Sequence, residues 1–353
     1  MCAVWLASID KMAPIRPMRK IKMNRKFDSL GVGCRFGAFV CCLVLFAMPG
    51  IAAEPQSVPF HGGAKLIFAT PEQGEKQITK QDGFIEHVGE LEMQVRMESA
   101  EPVSKEAYLK SLGAGVKAWK PEEIEIVEKA AKQVAEALEG YDFPLPEEVL
   151  LVRVSAEVEG DAPHCRGASV ILPDGFFSVT TDPARILAHE LFHVMSSHHP
   201  ELRDKLYEVI HFTKCNEVEL PESVKPQRVT NPDAYWNQHV VRIDVAGQET
   251  PVMPVILTRS AEYQPGGLFA NLDFRLMVLE EADGKFAPKL VDGEAVLLSP
   301  REAADYLQKI GRNTGYIIHP EEVLADNFAL MLFDPEGVRD AWVIEGMQEV
   351  LKK

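Results

Sequence analysis

Apolar residues recur at helical spacing in two well-marked segments of the chain. In the first, Pro121 stands in the opening turn, apolar positions follow three or four residues apart to Leu138, and Gly140 lies just beyond the end. In the second, Pro183 begins a similar run that stops before Pro200. The pattern predicts an amphipathic helix in each segment.

Shorter apolar runs predict strands. Residues 149–154 and 168–172 are such runs, rich in β-branched side chains, and the second closes with the turn residues 173–175. Residues 91–97 alternate apolar positions with Glu and Gln, which predicts a further strand. Helix, strand, strand and helix therefore follow one another through the middle of the chain, and we expect an α+β fold.

The second half of the chain is less regular. Residues 201–210 predict a helix, and the following residues to about 267 are rich in Pro and turn formers, so we expect an irregular stretch there. Pro320 begins the last helix that the pattern predicts. Repeats and flexible linkers are absent from the sequence, which favours one compact body with two lobes.

Charge excludes one class of partner. The chain has 53 acidic and 37 basic residues, a formal net charge of −16, and its only excess of basic residues is in residues 1–53, which hold 8 basic and 2 acidic residues. A polyanion would be repelled by the rest of the molecule. We therefore expect no nucleic-acid partner.

The N-terminus has the order of zones typical of an export signal. A basic zone, residues 16–26, precedes an apolar run, residues 36–48, and the small pair Ala52 and Ala53 follows. The apolar run is shorter than the roughly 20 residues that span a bilayer. We predict a signal peptide over residues 1–53, cleavage near Ala53, no stable membrane insertion after cleavage, and a periplasmic or extracellular location.

Two cysteines remain after this cleavage, Cys165 and Cys215. Two thiols in an oxidising compartment favour a disulfide, but two buried free thiols fit the sequence equally well. Both alternatives stay open.

The second predicted helix carries the sequence His189-Glu190-Leu191-Phe192-His193. A separation of four residues places both imidazoles on one helix face, where they can bind one Zn²⁺ at roughly 2.0 to 2.1 Å. Glu190 lies beside them and could take a proton from a zinc-activated water as general base. The apolar neighbours predict a buried helix, in which histidines without a metal would need other partners.

Two residues compete as third ligand. His199 follows His189 at the spacing of the metzincin pattern, but Ser196 replaces the glycine that allows the required turn, and Pro200 favours an extended His199. Glu322 is the alternative. It is four residues before Asp326 on the helix that begins at Pro320, so Glu322 could bind the metal while Asp326 accepts the spare N–H of a liganding histidine.

Glutamates in the first turn of a helix also stabilise it without a metal, by about 0.3 to 1 kcal/mol. We nevertheless predict Glu322 as third ligand, because small and polar residues follow it on a helix whose other side is apolar.

These residues resemble the active site of the gluzincin metallopeptidases, the thermolysin-like branch of the zincins. The resemblance rests on His189, Glu190, His193, Glu322 and Asp326. It implies zinc-dependent peptide hydrolysis, a small mixed sheet over an active-site helix, and a C-terminal lobe that supplies the third ligand. The chain also resembles exported bacterial proteins of unassigned activity with this motif and a downstream Pro-Glu-Glu.

The chain between the two parts of the motif, residues 194–321, is much longer than in thermolysin-like enzymes. We divide the sequence into residues 1–53, the signal peptide; 54–118, a region of unclear role; 119–200, a zincin-like subdomain; and 201–353, a C-terminal lobe.

The remaining assignments concern substrate. Residues 166–172 occupy the place where zincins have the sheet-edge strand that pairs with an extended peptide. Donors to the oxyanion could be Tyr316, which we favour, His319, Tyr235 or His239. A peptide or protein substrate is expected. Two alternatives stay open: a scaffold or binding protein with structural or unproductive zinc, and a non-peptide metallohydrolase such as an amidase. The oligomeric state also stays open.

Overall fold

A computed structural model describes residues 56–353, and the predicted signal peptide lies outside this part. The described residues combine helices with small sheets, as the sequence predicts. Among these residues, no helix has both the length and the apolar character needed to cross a membrane.

The first sheet is mixed. Its order is β1-β2-β3-β5-β4, with β2, β3 and β5 parallel and with β1 and β4 antiparallel at the two edges. The predicted strands at 149–154 and 168–172 are confirmed as β3 and β5, and the region before residue 118 supplies β1 and β2. The strands are β1 Ser57–Pro59, β2 Lys65–Phe68, β3 Glu148–Arg153, β4 His164–Cys165 and β5 Ser169–Leu172.

The chain between β2 and β3 is mostly helical, as is usual for the long connection between two parallel strands. Its helices are α1 Pro71–Ile78, α2 Gly83–His87, α3 Glu90–Arg96, α4 Lys105–Ala114 and α5 Pro121–Ala137. The helix predicted from Pro121 is confirmed. The strand predicted at 91–97 is wrong, because Glu92 is buried and pairs with Arg96 one helical turn later, so the alternation does not separate an inner from an outer face.

Two further predicted helices are confirmed as α6, Pro183–His198, and α7, Pro200–Val209. Asp182 caps α6 by accepting hydrogen bonds from the N–H groups of Ala184 and Arg185. Apolar side chains of α6 join those of the first sheet, α5 and α10, Pro320–Phe333, in one large core. Packing of α6 against α10 positions the candidate site.

A second, antiparallel sheet lies in the chain between α7 and α10, with the order β10-β9-β8-β7-β6 and with β13 paired to β9. Its strands are β6 Phe212–Lys214, β7 His239–Val245, β8 Gln248–Thr258, β9 Leu272–Ala282, β10 Lys285–Pro288 and β13 Leu297–Leu298, and the pair β11 Leu290–Val291 and β12 Glu294–Ala295 stands apart. The irregular stretch expected to about residue 267 is confirmed for residues 215–238, which hold only the short helix Lys225–Gln227, and is wrong from His239 on, where β7 and β8 lie. Two of the prolines in that stretch, Pro251 and Pro254, lie inside β8, where a proline removes one donor without ending the strand.

Shorter helices complete the second half: α8 Gly267–Ala270, α9 Ala304–Ile310 and α11 Ala341–Leu351. The helix from Pro320 is confirmed, but it is not the last, because α11 follows it. The end of α11 returns to the first half, where the Asp142 N–H donates to the Leu351 carbonyl at 2.7 Å.

Candidate metal centre

Helix α6 places His189 and His193 one turn apart on the face that meets α10. Their ring centroids are 4.8 Å apart and the rings are nearly perpendicular. The side chain of His189 is 13% exposed and that of His193 is 1% exposed. His193 is therefore enclosed, while His189 keeps a small exposed fraction.

Glu322 of α10 faces both imidazoles. Its Oε2 lies 3.2 Å from His189 Nε2 and 3.5 Å from His193 Nε2. These three atoms belong to a group whose members all lie within 4.8 Å of one another. Among residues 56–353, the buried His193 Nε2 has no hydrogen-bond partner, a costly arrangement that a cation would relieve. Two imidazole nitrogens and one carboxylate oxygen are a donor set that fits Zn²⁺.

Carboxylates also hold the far side of each ring. Asp326 Oδ1 lies 3.0 Å from His189 Nδ1, and Glu321 Oε1 lies 3.0 Å from His193 Nδ1. An Nδ1–H that donates to a carboxylate leaves the Nε2 lone pair directed toward the centre. Thr314 in turn donates to Asp326 through its hydroxyl.

Glu321 was not recognised from the sequence as a site residue, where it was indistinguishable from a helix N-terminal charge. Besides His193, it binds Ser196, whose hydroxyl donates at 2.5 Å, and Tyr207, whose hydroxyl donates at 2.5 Å. Nothing in the sequence spacing signals this network, because Tyr207 comes from α7 and Glu321 from α10.

The structure brings Glu322 to the histidine pair and places His199 elsewhere. Ser196 continues α6 and is buried against Glu321, so the chain does not turn where the metzincin pattern has glycine. His199 lies after the end of α6, directly before Pro200 opens α7.

Electrostatics favour a positive charge between these carboxylates. Burial lowers the pKa of His189, but hydrogen bonds to Asp326 and Glu322 outweigh it and raise that pKa to about 10. Burial also opposes the charge of His193, yet nearby Asp233 and Glu322 raise its pKa well above the ordinary value. The pKa of Glu322 is lowered, because the neighbouring imidazoles outweigh its burial.

Glu190, the predicted base, is buried beside the pair. Burial raises the pKa of its carboxyl, and the two imidazoles oppose this rise. Its carboxylate, the Cys165 thiol and the Asp233 carboxylate lie within 4.8 Å of one another. Asp233 is a second site residue that sequence reasoning missed, since it stood only in a turn-forming Asn-Pro-Asp segment. Burial raises its pKa well above the ordinary value.

The four oxyanion candidates differ in their contacts. Tyr316 stacks on His189 with ring centroids 6.1 Å apart, and burial raises the pKa of its hydroxyl well above the ordinary value. His319 caps α10, where its Nδ1 accepts the Glu321 N–H at 3.1 Å. The other two candidates contact residues outside the histidine pair: Tyr235 packs on the rings of His87 and Trp236, and His239 hydrogen-bonds to Asp204. Tyr316 is the candidate that the structure brings against a predicted ligand.

The expected substrate-pairing strand needs correction. Residues 169–172 form β5, which is flanked by β3 and β4, so the edge strand is β4. The Cys165 N–H of β4 donates to Asp233 Oδ1 at 2.5 Å. Within the part of the chain that the structure describes, the two remaining cysteines form no disulfide: Cys165 is buried and Cys215 is half-buried.

Comparison of the chain with protein-family models, with curated proteins and with solved structures found no match.

Proposed function

We propose that the protein is an exported zinc-dependent metallopeptidase of the gluzincin type. One observation carries the proposal: Nε2 of His189, Nε2 of His193 and Oε2 of Glu322 converge, and a carboxylate holds the far side of each imidazole. Three protein ligands are the number found in catalytic zinc sites, which keep a fourth position for water or substrate.

Each residue has a distinct part in this proposal. A Zn²⁺ ion held by His189, His193 and Glu322 would act as a Lewis acid and make a water molecule nucleophilic near neutral pH. Glu190, buried beside the pair, takes the proton of the attacking water and passes it to the leaving amine. Burial raises its pKa above the ordinary value, in the direction that makes a carboxylate a stronger base.

Tyr316 is proposed to donate a hydrogen bond to the oxyanion. Its ring is nearly parallel to that of His189, with centroids 6.1 Å apart, and a phenol whose pKa is raised stays protonated. The zincin-like fold is supported by the mixed sheet with an antiparallel edge strand, β4, and by the packing of α6 against α10. Export is supported by the order of basic, apolar and small residues in residues 1–53.

The proposal is tested on the chain that begins at Glu54, by elemental analysis for zinc and by cleavage of a peptide library. We expect one zinc per chain, and cleavage that a chelator abolishes and added zinc restores. The His189→Ala/His193→Ala double variant should lose both. Equimolar zinc that persists in this variant would refute the metal centre.

A scaffold or binding protein with unproductive zinc is the second candidate. The burial of the site favours this candidate, because the side chains of His193 and Glu322 are each 1% exposed. In addition, Asp233 accepts a hydrogen bond from the Cys165 N–H in the edge strand β4, so that N–H is not available to a peptide. This candidate predicts bound zinc with no cleavage of any library peptide, and Glu190→Gln would then change neither property.

A further inference from the structure

Asn231 contacts the predicted metal ligand Glu322 from the opposite side to the histidines. It lies in the connection between the short helix Lys225–Gln227 and β7, and it is buried. Its Nδ2 donates to Glu322 Oε1 at 2.6 Å. This contact joins the long chain between α7 and α10 directly to the candidate site.

The orientation of the Asn231 amide follows from its second hydrogen bond. Its Oδ1 accepts the backbone N–H of Asp233 at 3.0 Å, which closes a turn over Pro232. Only the carbonyl end of an amide can accept that hydrogen bond. The NH₂ group therefore faces Glu322.

The two oxygens of Glu322 consequently have different environments. Oε2 faces His189 Nε2 and His193 Nε2, whereas Oε1 is bound to Asn231. A carboxylate can bind a metal through one oxygen or through both, and a donated hydrogen bond holds one of them away.

We propose that Asn231 is a positioning residue that restricts Glu322 to single-oxygen coordination. This inference rests on the proposed function, because it assigns Asn231 a part in the same metal site. With one oxygen from Glu322 and two imidazole nitrogens, a tetrahedral ion has its fourth position open for water. A two-oxygen carboxylate would fill that position.

The test compares two substitutions that keep the turn but remove the donor. Both Asn231→Ser and Asn231→Asp can still accept the Asp233 N–H, but Ser does not reach Glu322, and Asp repels it. Asn237 provides the matched control, because it lies in the same connection and donates to the Val218 carbonyl at 3.2 Å. Circular dichroism and urea unfolding check that each variant folds, and Asn231→Ser carries the test where Asn231→Asp does not fold.

The readouts are zinc affinity, measured by competition with a chelator, and the visible spectrum of the Co²⁺-substituted protein. We expect about 10 to 100-fold weaker zinc binding in both Asn231 variants. The Co²⁺ absorption should also weaken in Asn231→Ser, because coordination by both Glu322 oxygens adds a ligand. The Asn237→Ser variant should match the parent in both measurements.

A purely structural role at the turn predicts a different result. Both Asn231 variants would then bind zinc like the parent, with an unchanged Co²⁺ spectrum, and this outcome overturns the inference while the metal centre stands. A parent protein that binds no zinc overturns the proposed metal centre and this inference together.

Discussion

Glu321 Oε1 lies 3.0 Å from His193 Nδ1, although Glu321 is the immediate neighbour of the predicted metal ligand Glu322. Successive residues on a helix point about 100° apart, so the two carboxylates approach the histidine from different sides. Glu322 faces the Nε2 atoms and Glu321 faces the opposite edge of one ring. The neighbouring carboxylates of α10 therefore contact the histidine pair from two different sides.

The first prediction concerns the support that Glu321 gives to His193. In Glu321→Gln, one amide replaces a carboxylate that accepts from His193, Ser196 and Tyr207, so the ring of His193 is held less firmly. We expect zinc affinity to fall by about 10 to 100-fold. Chelator competition measures this, and Glu345→Gln on the exposed side of α11 is the control. Parental affinity in Glu321→Gln would contradict a supporting role.

The second prediction separates catalysis from metal binding. Glu190→Gln removes the charge of the base and roughly preserves its shape, and Glu190 is not among the three converging donors. Zinc content should stay at one per chain while peptide cleavage falls by a factor of about 10² or more. A variant as active as the parent would show that another group accepts the proton.

The chain from Pro121 to Val209 could largely be predicted from the sequence because its signals are local, whereas the helices and strands before Pro121 could not. Pro183 at the start of α6 and the apolar positions that follow are sufficient to predict that helix, and the separation of His189 from His193 then places both on one face. The same reasoning reached Glu322 and Asp326, which share a face of α10.

The rest could not be predicted, because it depends on contacts between distant parts of the chain. Asn231 and Asp233 formed an ordinary turn signal, and only the folding of the second lobe brings them to Glu322 and Cys165. The strand predicted at 91–97 failed for a related reason: a buried polar residue, Glu92, has the same sequence signature as an exposed one until its partners are known.

The third prediction ranks the candidate third ligands. Glu322→Ala removes a donor that faces both histidines, so zinc binding should weaken severely, whereas Asp326→Ala should weaken it by about 10 to 100-fold. His199→Ala should have little effect, because His199 lies beyond the end of α6. Titration of each variant with zinc measures the order. The reverse order, with His199→Ala the most damaging, would require the metzincin arrangement.

The last prediction concerns acid stability and rests on a histidine outside the metal centre. His239 donates to Asp204 from Nε2 and packs against the ring of Tyr207. Burial lowers its pKa to about 4, and the hydrogen bond to Asp204 only partly opposes this. Between pH 6.5 and 4 the unfolded chain therefore binds a proton at this position that the folded chain does not, so stability falls as the pH falls through that window.

Between pH 6.5 and pH 5 this difference amounts to about 1 to 2 kcal/mol from His239, since each pKa unit corresponds to about 1.4 kcal/mol. We expect the free energy of urea unfolding to decrease over this range, and the decrease to be smaller in His239→Gln, whose amide can still donate to Asp204. His198→Gln, at an exposed position of α6, should retain the full decrease. An equal pH dependence in His239→Gln and in the parent would mean that His239 takes up its proton without unfolding.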